Sequence, residues 1–189
     1  MLKMNYWGEK WDLHEHVCPC DVHINEWIEA NGLKGKTIYH FGTGTHHTVG
    51  QRQAALGNSV FAITASKEEY EAYVALVTQN VRVARSYVAY FGDIYLTNPR
   101  LLPDFDIVTL VHLCEFYYPN TDTQEYGGLN DPQLLDLFTA KTKAGGHIIF
   151  YTGSKDFHAA GPMILQWAEV APVERVEDFK TLTIYRKSK

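Results

Sequence analysis

The 189-residue sequence predicts an α/β fold: a doubly wound, mostly parallel seven-stranded sheet with helices on both faces and a C-terminal antiparallel hairpin. Three observations carry the prediction. Strand-like and helix-like runs alternate from residue 36 onward, the order that crossover connections impose on a parallel sheet. The run FDIVTLVHL, 105 to 113, is almost continuously apolar, as strands buried on both faces are. Near the C-terminus VERVEDF and TLTIYRK are separated by almost nothing, so they read as a hairpin.

The elements follow in order. Asp21 is placed to cap a helix to about Ala30, with Ile24, Trp27 and Ile28 on one face and Gly32 after its end. KTIYHF, 36 to 41, is a strand that runs into Gly42-Thr43-Gly44, and a helix follows from about His46 to Leu56. SVFAIT, 59 to 64, is the next strand. Ser66 then opens a helix as N-cap, with Glu69 completing a capping box and Tyr70, Tyr73, Val74 and Val77 on one face. SYVAYF, 86 to 91, and the run at 105 to 113 are the third and fourth strands. Asp131-Pro132 reads as N-cap and first-turn proline of a helix through Leu134, Leu135 and Phe138. Gly145-Gly146 end a turn before the fifth strand, HIIFYT, 147 to 152, and a last helix spans about Pro162 to Val170. The reading is one domain, with residues 1–35 as an N-terminal cap or lid and 36–187 as the core. The irregular stretch 117 to 131 follows the fourth strand, at the sheet end where open α/β sheets bind ligands.

Composition narrows the function. Lys and Arg total 17 against 22 Asp and Glu, a net charge of -5, so nucleic acid is not expected as an electrostatic partner. No apolar run reaches the ~20 residues of a membrane span, and the N-terminus lacks an apolar signal core. Cys18, Cys20 and Cys114 are an odd set that suits a reducing compartment. A cytoplasmic protein with no membrane association is the expectation. Of the nine histidines, seven fall in the cap, the glycine turn or the fourth strand's end: His14, His16, His23, His40, His46, His47 and His112. With the sheet wound as predicted, these segments converge on one cleft.

HFGTGTHH follows a strand and opens a helix. Gly42 permits a tight turn, Gly44 lets a ligand approach the backbone, and the helix N-terminus offers N–H groups to an anion. Glycines at strand–helix turns also serve steric needs alone, and His46 stands where a third fingerprint glycine would be. Thr64 lies about 20 residues on, where a ribose-binding carboxylate is usual. Gly92-Asp93-Ile94 follows the third strand, and His112-Leu113-Cys114-Glu115 ends the fourth.

With the terminal hairpin, this order resembles the class I S-adenosylmethionine-dependent methyltransferases, a Rossmann-like family, over roughly residues 36 to 187. The resemblance implies S-adenosylmethionine as cofactor. It places Gly42, Thr43 and Gly44 at the methionine part, Thr64, Ala65 and Ser66 at the ribose, and Gly92, Asp93 and Ile94 at the adenine. His112 and Leu113 fall beside the reacting methyl. Two positions depart from the family, which is usually acidic where this chain has His40 and Thr64. Losing a charged acceptor costs about 1 to 2 kcal/mol, roughly tenfold in affinity per site.

Other constellations carry paired readings. A neutral His46 in the first helical turn either donates to the cofactor carboxylate or sits in solvent with His47. The stretch His14 to His23, with Cys18 and Cys20, holds ligand types for zinc or copper, but its spacings are tighter than structural zinc patterns; the favoured reading is a cap without metal. With Tyr6, Trp7 and Trp11 it also reads as an aromatic lid, since aromatic faces attract a sulfonium, or as plain packing. For a transferred methyl, His112, Glu115 and His16, together with Tyr117 and Tyr118, are the candidate bases or positioning groups.

The expected function is methyl transfer to a small-molecule acceptor by a monomer or homodimer. Two alternatives stay open. One is a catalytically altered methyltransferase-like protein that binds a ligand or metal, in which restoring an acid at position 64 sharply raises cofactor affinity. The other is an NADP-binding oxidoreductase, with Thr64, Ser66 and Lys67 holding a 2′-phosphate.

Overall fold

The computed structural model describes residues 3–116 and 128–188. Seven strands form one sheet in the order β3-β2-β1-β4-β5-β7-β6: β1 Thr37–Phe41, β2 Ser59–Thr64, β3 Tyr87–Phe91, β4 Phe105–Thr109, β5 Thr142–Tyr151, β6 Val173–Phe179 and β7 Leu182–Lys187. β1 to β5 pair in parallel, and β7 runs antiparallel to both β5 and β6. The helices are α1 Cys20–Ala30, α2 Thr48–Ala55, α3 Lys67–Gln79, α4 Val81–Ala84, α5 Asp131–Lys141 and α6 Phe157–Val170. The chain winds outward from β1 through β2 to β3, then returns to β4 beside β1. The β1/β4 boundary is therefore the switch point at which the C-terminal strand ends open a crevice.

Successive strand residues point to opposite sides of the sheet, and the cores follow that alternation. Ile38, Val60, Ala62 and Ile107 join Ile24, Trp27 and Ile28 of α1 and Val49 of α2 in one core. Tyr39, Ile63, Val108 and Ile148 join Leu134, Leu135 and Phe138 of α5 and Ile164 and Trp167 of α6 in the other.

Several local expectations are corrected. Ser66 is the N-cap of α3, but its side chain makes no capping bond; Glu69 turns away into the cavity described below. α3 buries only Glu69 fully, with Tyr73, Leu76 and Val77 half-packed on the core and Val74 exposed. Asp21 is not a cap. Pro19 holds the N-cap position of α1, and Asp21 is buried within its first turn. α2 begins at Thr48 because His47, with φ +46°, occupies the N-cap in a left-handed conformation. Asn130 rather than Asp131 caps α5, through a capping box with Gln133. Gly145-Gly146 lie inside β5, next to the register shift against Phe105 and Ile107 of β4. The last helix starts five residues earlier than its proline, which sits within α6. Most of the loop expected at 117 to 131, with Tyr117 and Tyr118, lies outside the described residues.

Candidate active site

A cavity of about 320 Å³ opens at the C-terminal ends of the strands nearest the switch point. Its floor is the turn after β1. Gly42 and Gly44 take φ +86° and +54°, conformations that carry no steric cost only without a Cβ. A Cβ on Gly42 would lie 2.9 Å from His112 Cδ2, and one on Gly44 would overlap the His46 ring. Both imidazoles therefore lie on bare backbone.

At the end of β2 a carboxylate reaches Thr64 from the next helix. Thr64 Oγ1 donates to Glu69 Oε2 at 2.6 Å, and Thr43 Oγ1 donates to the same oxygen at 3.3 Å. The backbone N–H of Trp11 donates to Oε1 at 3.1 Å. Burial raises the Glu69 pKa, and these three donors hold the rise back. A carboxylate offers about four acceptor sites, so Glu69 retains capacity toward the cavity it lines. The Ser66 hydroxyl beside it is buried with no hydrogen-bond partner among the described residues, which marks a polar position open to a ligand.

At the ends of β1 and β4 imidazoles face carboxyl groups. His40 Nδ1 shares a 2.9 Å hydrogen bond with Thr109 Oγ1 across the switch point. Its Nε2 faces Asp21 Oδ1 at 3.5 Å, outside hydrogen-bond geometry. His46 Nδ1 lies 3.7 Å from Asp21 Oδ2. Burial works against the Asp21 charge, but the facing imidazoles outweigh it and keep the carboxyl below its ordinary range. His112 Nδ1 pairs with Glu115 Oε2 at 3.1 Å, and Ser154 Oγ donates to the other Glu115 oxygen. Burial disfavours charge on His112, yet the Glu115 bond and charge more than offset it and raise its pKa. Cys18 and Cys20 line the same end, with their sulfurs 3.5 Å apart. The hydrogen bond between them lowers Cys18 to about 6, while Cys20 keeps its proton and titrates well above the ordinary range.

The N-terminal residues strap over the opening. Trp7 N–H donates to Ala65 C=O at 2.8 Å and Thr45 N–H donates to Trp11 C=O at 2.8 Å. Trp7 also packs edge-on against Phe116, with ring centroids 4.9 Å apart.

Most of the residues singled out in the sequence line this cavity: Gly42, Thr43, Gly44, His46, Thr64, Ala65, Ser66, Gly92, Asp93, Ile94, His112 and Glu115. Three do not. Leu113 is buried in the core with α5 and α6. His40 sits behind the cavity wall, held by Thr109. His16 is exposed, because a turn closed by bonds from Val17 N–H and Cys18 N–H to His14 C=O carries it outward. The expected convergence of seven histidines is also corrected, since only His46 and His112 reach the cavity. His14 is exposed beside Trp11, and His23 bonds Thr181 at 2.7 Å. His47 is buried between Tyr87 Oη at 2.7 Å and Glu69 C=O at 2.8 Å. Sequence reasoning missed Glu69, read as a cap, and Asp21, read likewise. The only available signal was their i+5 and cross-element nearness to Thr64 and His40.

No family model matches the chain, and no curated protein matches it in sequence. Solved structures do match its fold. Magnesium protoporphyrin IX methyltransferase from Synechocystis PCC 6803, with bound S-adenosylmethionine, aligns at TM-score 0.65 and 11% identity over 90% of this chain and 79% of that one. The chain has the class I methyltransferase fold. N-methyltransferase NodS from Bradyrhizobium japonicum WM9, in complex with S-adenosyl-l-homocysteine, aligns at TM-score 0.60 and 13% identity, covering 89% of this chain and 87% of that one. A Clostridium thermocellum protein named as an rRNA-methylase aligns at TM-score 0.59 and 14% identity, covering 88% and 96%. Within the methyltransferase fold, no helix among the described residues is long and apolar enough to cross a membrane. No group of three or more His, Cys, Asp or Glu among them is arranged for a metal ion.

Proposed function

We propose that the chain transfers a methyl group from S-adenosylmethionine to a small-molecule acceptor, as a cytoplasmic enzyme. The observation that carries this reading is the Glu69 carboxylate at the end of β2, which returns to the Thr64 position the charge that the strand lacks. Glu69 and Thr64 together would accept the ribose hydroxyls, Asp93 would accept from the adenine amino group, and the Gly42–Gly44 backbone would hold the methionine carboxylate. Asp21 would receive the ammonium group, beside the position where His40 replaces the usual acid. Two cores on alternate strand faces support a doubly wound sheet with helices on both sides, and residues 1–35 serve as its cap.

When bound, S-adenosylmethionine supplies an electrophilic methyl on a sulfonium. His112 holds the proton chemistry on the acceptor side. Its Nδ1–H donates to Glu115, which fixes the tautomer and leaves the Nε2 lone pair to take a proton from an acceptor hydroxyl or amine. Ser154 keeps Glu115 in place, as a positioning residue. Trp7, Trp11 and Phe116 exclude water from the opening.

The charge pattern bears on the alternatives. A 2′-phosphate at the end of β2 would face Glu69, so NADP is disfavoured there. The cavity carries Glu9, Asp21, Glu69, Asp93 and Glu115 against Lys10 and Lys155, which with the net charge of -5 favours a small acceptor over a polyphosphate chain. Calorimetric titration with S-adenosylmethionine and S-adenosylhomocysteine tests the reading. Binding in the micromolar range is expected, weakened roughly tenfold by Glu69→Gln. Absence of heat and of any thermal shift at millimolar ligand would overturn it.

A further inference from the structure

We propose that Cys18 and Cys20 form a dithiol site, within the same cavity, for a trivalent thiophilic metalloid hydroxide of the arsenite type. Both are free thiols, both line the cavity, and their sulfurs stand 3.5 Å apart. A disulfide holds its sulfurs about 2.05 Å apart, so the two stand here as separate thiols.

The spacing also selects the guest. Two sulfurs at this separation, each about 2.3 Å from a shared soft centre, subtend about 100° there. A linear two-coordinate ion would need them about 4.6 Å apart at the same bond length. Tetrahedral zinc accepts the angle but needs four ligands, and no third or fourth protein ligand is arranged for one among the described residues. A trivalent metalloid is pyramidal, with a lone pair at its apex, and is complete with two thiolates and one hydroxyl.

The sulfurs are held for that role. Cys20 is the first residue of α1 and is buried, and Pro19 between the two restricts the backbone. Cys18 N–H donates to His14 C=O at 2.9 Å, and His23 N–H donates to Pro19 C=O at 2.9 Å. Little ordering remains to be done on binding, which is what preorganisation contributes to affinity. The reaction is a condensation without redox change. Two sulfur–metalloid bonds form and two metalloid–oxygen bonds break; one hydroxide leaves as water with the Cys20 thiol proton and the other with a proton from Cys18 or, where Cys18 is already thiolate, from solvent. The third hydroxyl stays on the metalloid and faces the cavity.

The test uses the full chain reduced with a phosphine, titrated with arsenite. Free thiols are then counted with a chromogenic disulfide reagent, and arsenic is counted by elemental analysis. One arsenic per chain and protection of two of the three thiols are expected. Cys18→Ser, at a half-buried position that tolerates the change, should weaken binding roughly a hundredfold or more by removing the chelate, and Cys114→Ser should bind as the unmodified chain does. Protection of no thiol or of one, or loss of binding in Cys114→Ser rather than Cys18→Ser, would overturn the proposal. Arsenite binding and S-adenosylmethionine binding are read separately, so failure of either leaves the other standing or falling on its own titration.

Discussion

The two ends of the cavity acquire a buried carboxylate in different ways. At β2, which ends on Thr64, Glu69 reaches in from the helix that follows, pinned by two hydroxyls and one backbone N–H. At β1, which carries His40, Asp21 arrives from α1, more than a dozen residues earlier in sequence, among imidazoles and beside two thiols. The first end is a hydrogen-bonded network around a single carboxylate. The second is a cluster whose charges depend on protonation. The β2 end is therefore suited to holding a ligand, and the β1/β4 end to moving a proton.

The largest effect should come from the second end. His112→Gln keeps a polar side chain but removes the basic nitrogen, and turnover should fall by about 10² to 10⁴. The drop should appear in kcat while S-adenosylmethionine affinity, measured by calorimetry, changes little. Equal losses in both would move His112 from base to cofactor packing.

The sheet and the glycine turn were legible because their signals are local. Alternation, apolar runs and Gly42-Thr43-Gly44 each lie within a few residues, and β2 falls where its β-branched run ends. The compensating carboxylates were not legible for the opposite reason. Ser66 and Glu69 have the spacing of a capping box, and Asp21 stands where a cap is common, so local rules claimed both. Long-range partners won: Thr43, Thr64 and the Trp11 backbone for Glu69, and His40 and His46 for Asp21. A buried carboxylate with several donors gains more than a solvent-exposed cap bond. His16 and Leu113 failed differently, since a one-residue shift in a turn or strand end reverses which way a side chain faces.

Next in size is an acid effect at the joint between the two ends. His47 ties α2 to the Glu69 backbone, and burial lowers its pKa to about 4 from 6.5. The unfolded chain takes up this proton at higher pH than the folded one, so stability falls as pH drops from 6.5 and the loss is complete near 4. The shift amounts to about 3 kcal/mol. Denaturant titrations at pH 7 and pH 4.5 should show most of that loss, and His47→Gln should remove it. An unchanged pH slope in the variant would exclude His47 as the source.

Placing an acid directly on β2 comes next. If Thr64 were a true vacancy, Thr64→Glu would raise cofactor affinity. With Glu69 already there, the substitution sets two carboxylates in one buried site and removes the hydroxyl that holds the first. Like charges so placed disfavour ionisation of both. Affinity for S-adenosylmethionine should fall by about thirtyfold, near 2 kcal/mol, and recover in Thr64→Glu/Glu69→Gln. A gain in the single variant would return the missing-acid reading.

The smallest effect concerns the strap that joins the two ends. Trp11 contributes through its backbone, donating its N–H to Glu69 Oε1 and accepting from Thr45 N–H of the glycine-turn segment. Proline at position 11 deletes the donor and leaves the acceptor in place. Phenylalanine keeps both and changes only the ring. The lost bond is charge-assisted but near the surface, so Trp11→Pro should weaken cofactor binding by about 1 kcal/mol, roughly fivefold, and Trp11→Phe by less. If the two variants weaken binding equally, the ring rather than the backbone closes the cavity, and the strap acts as an aromatic lid instead of an anchor for Glu69.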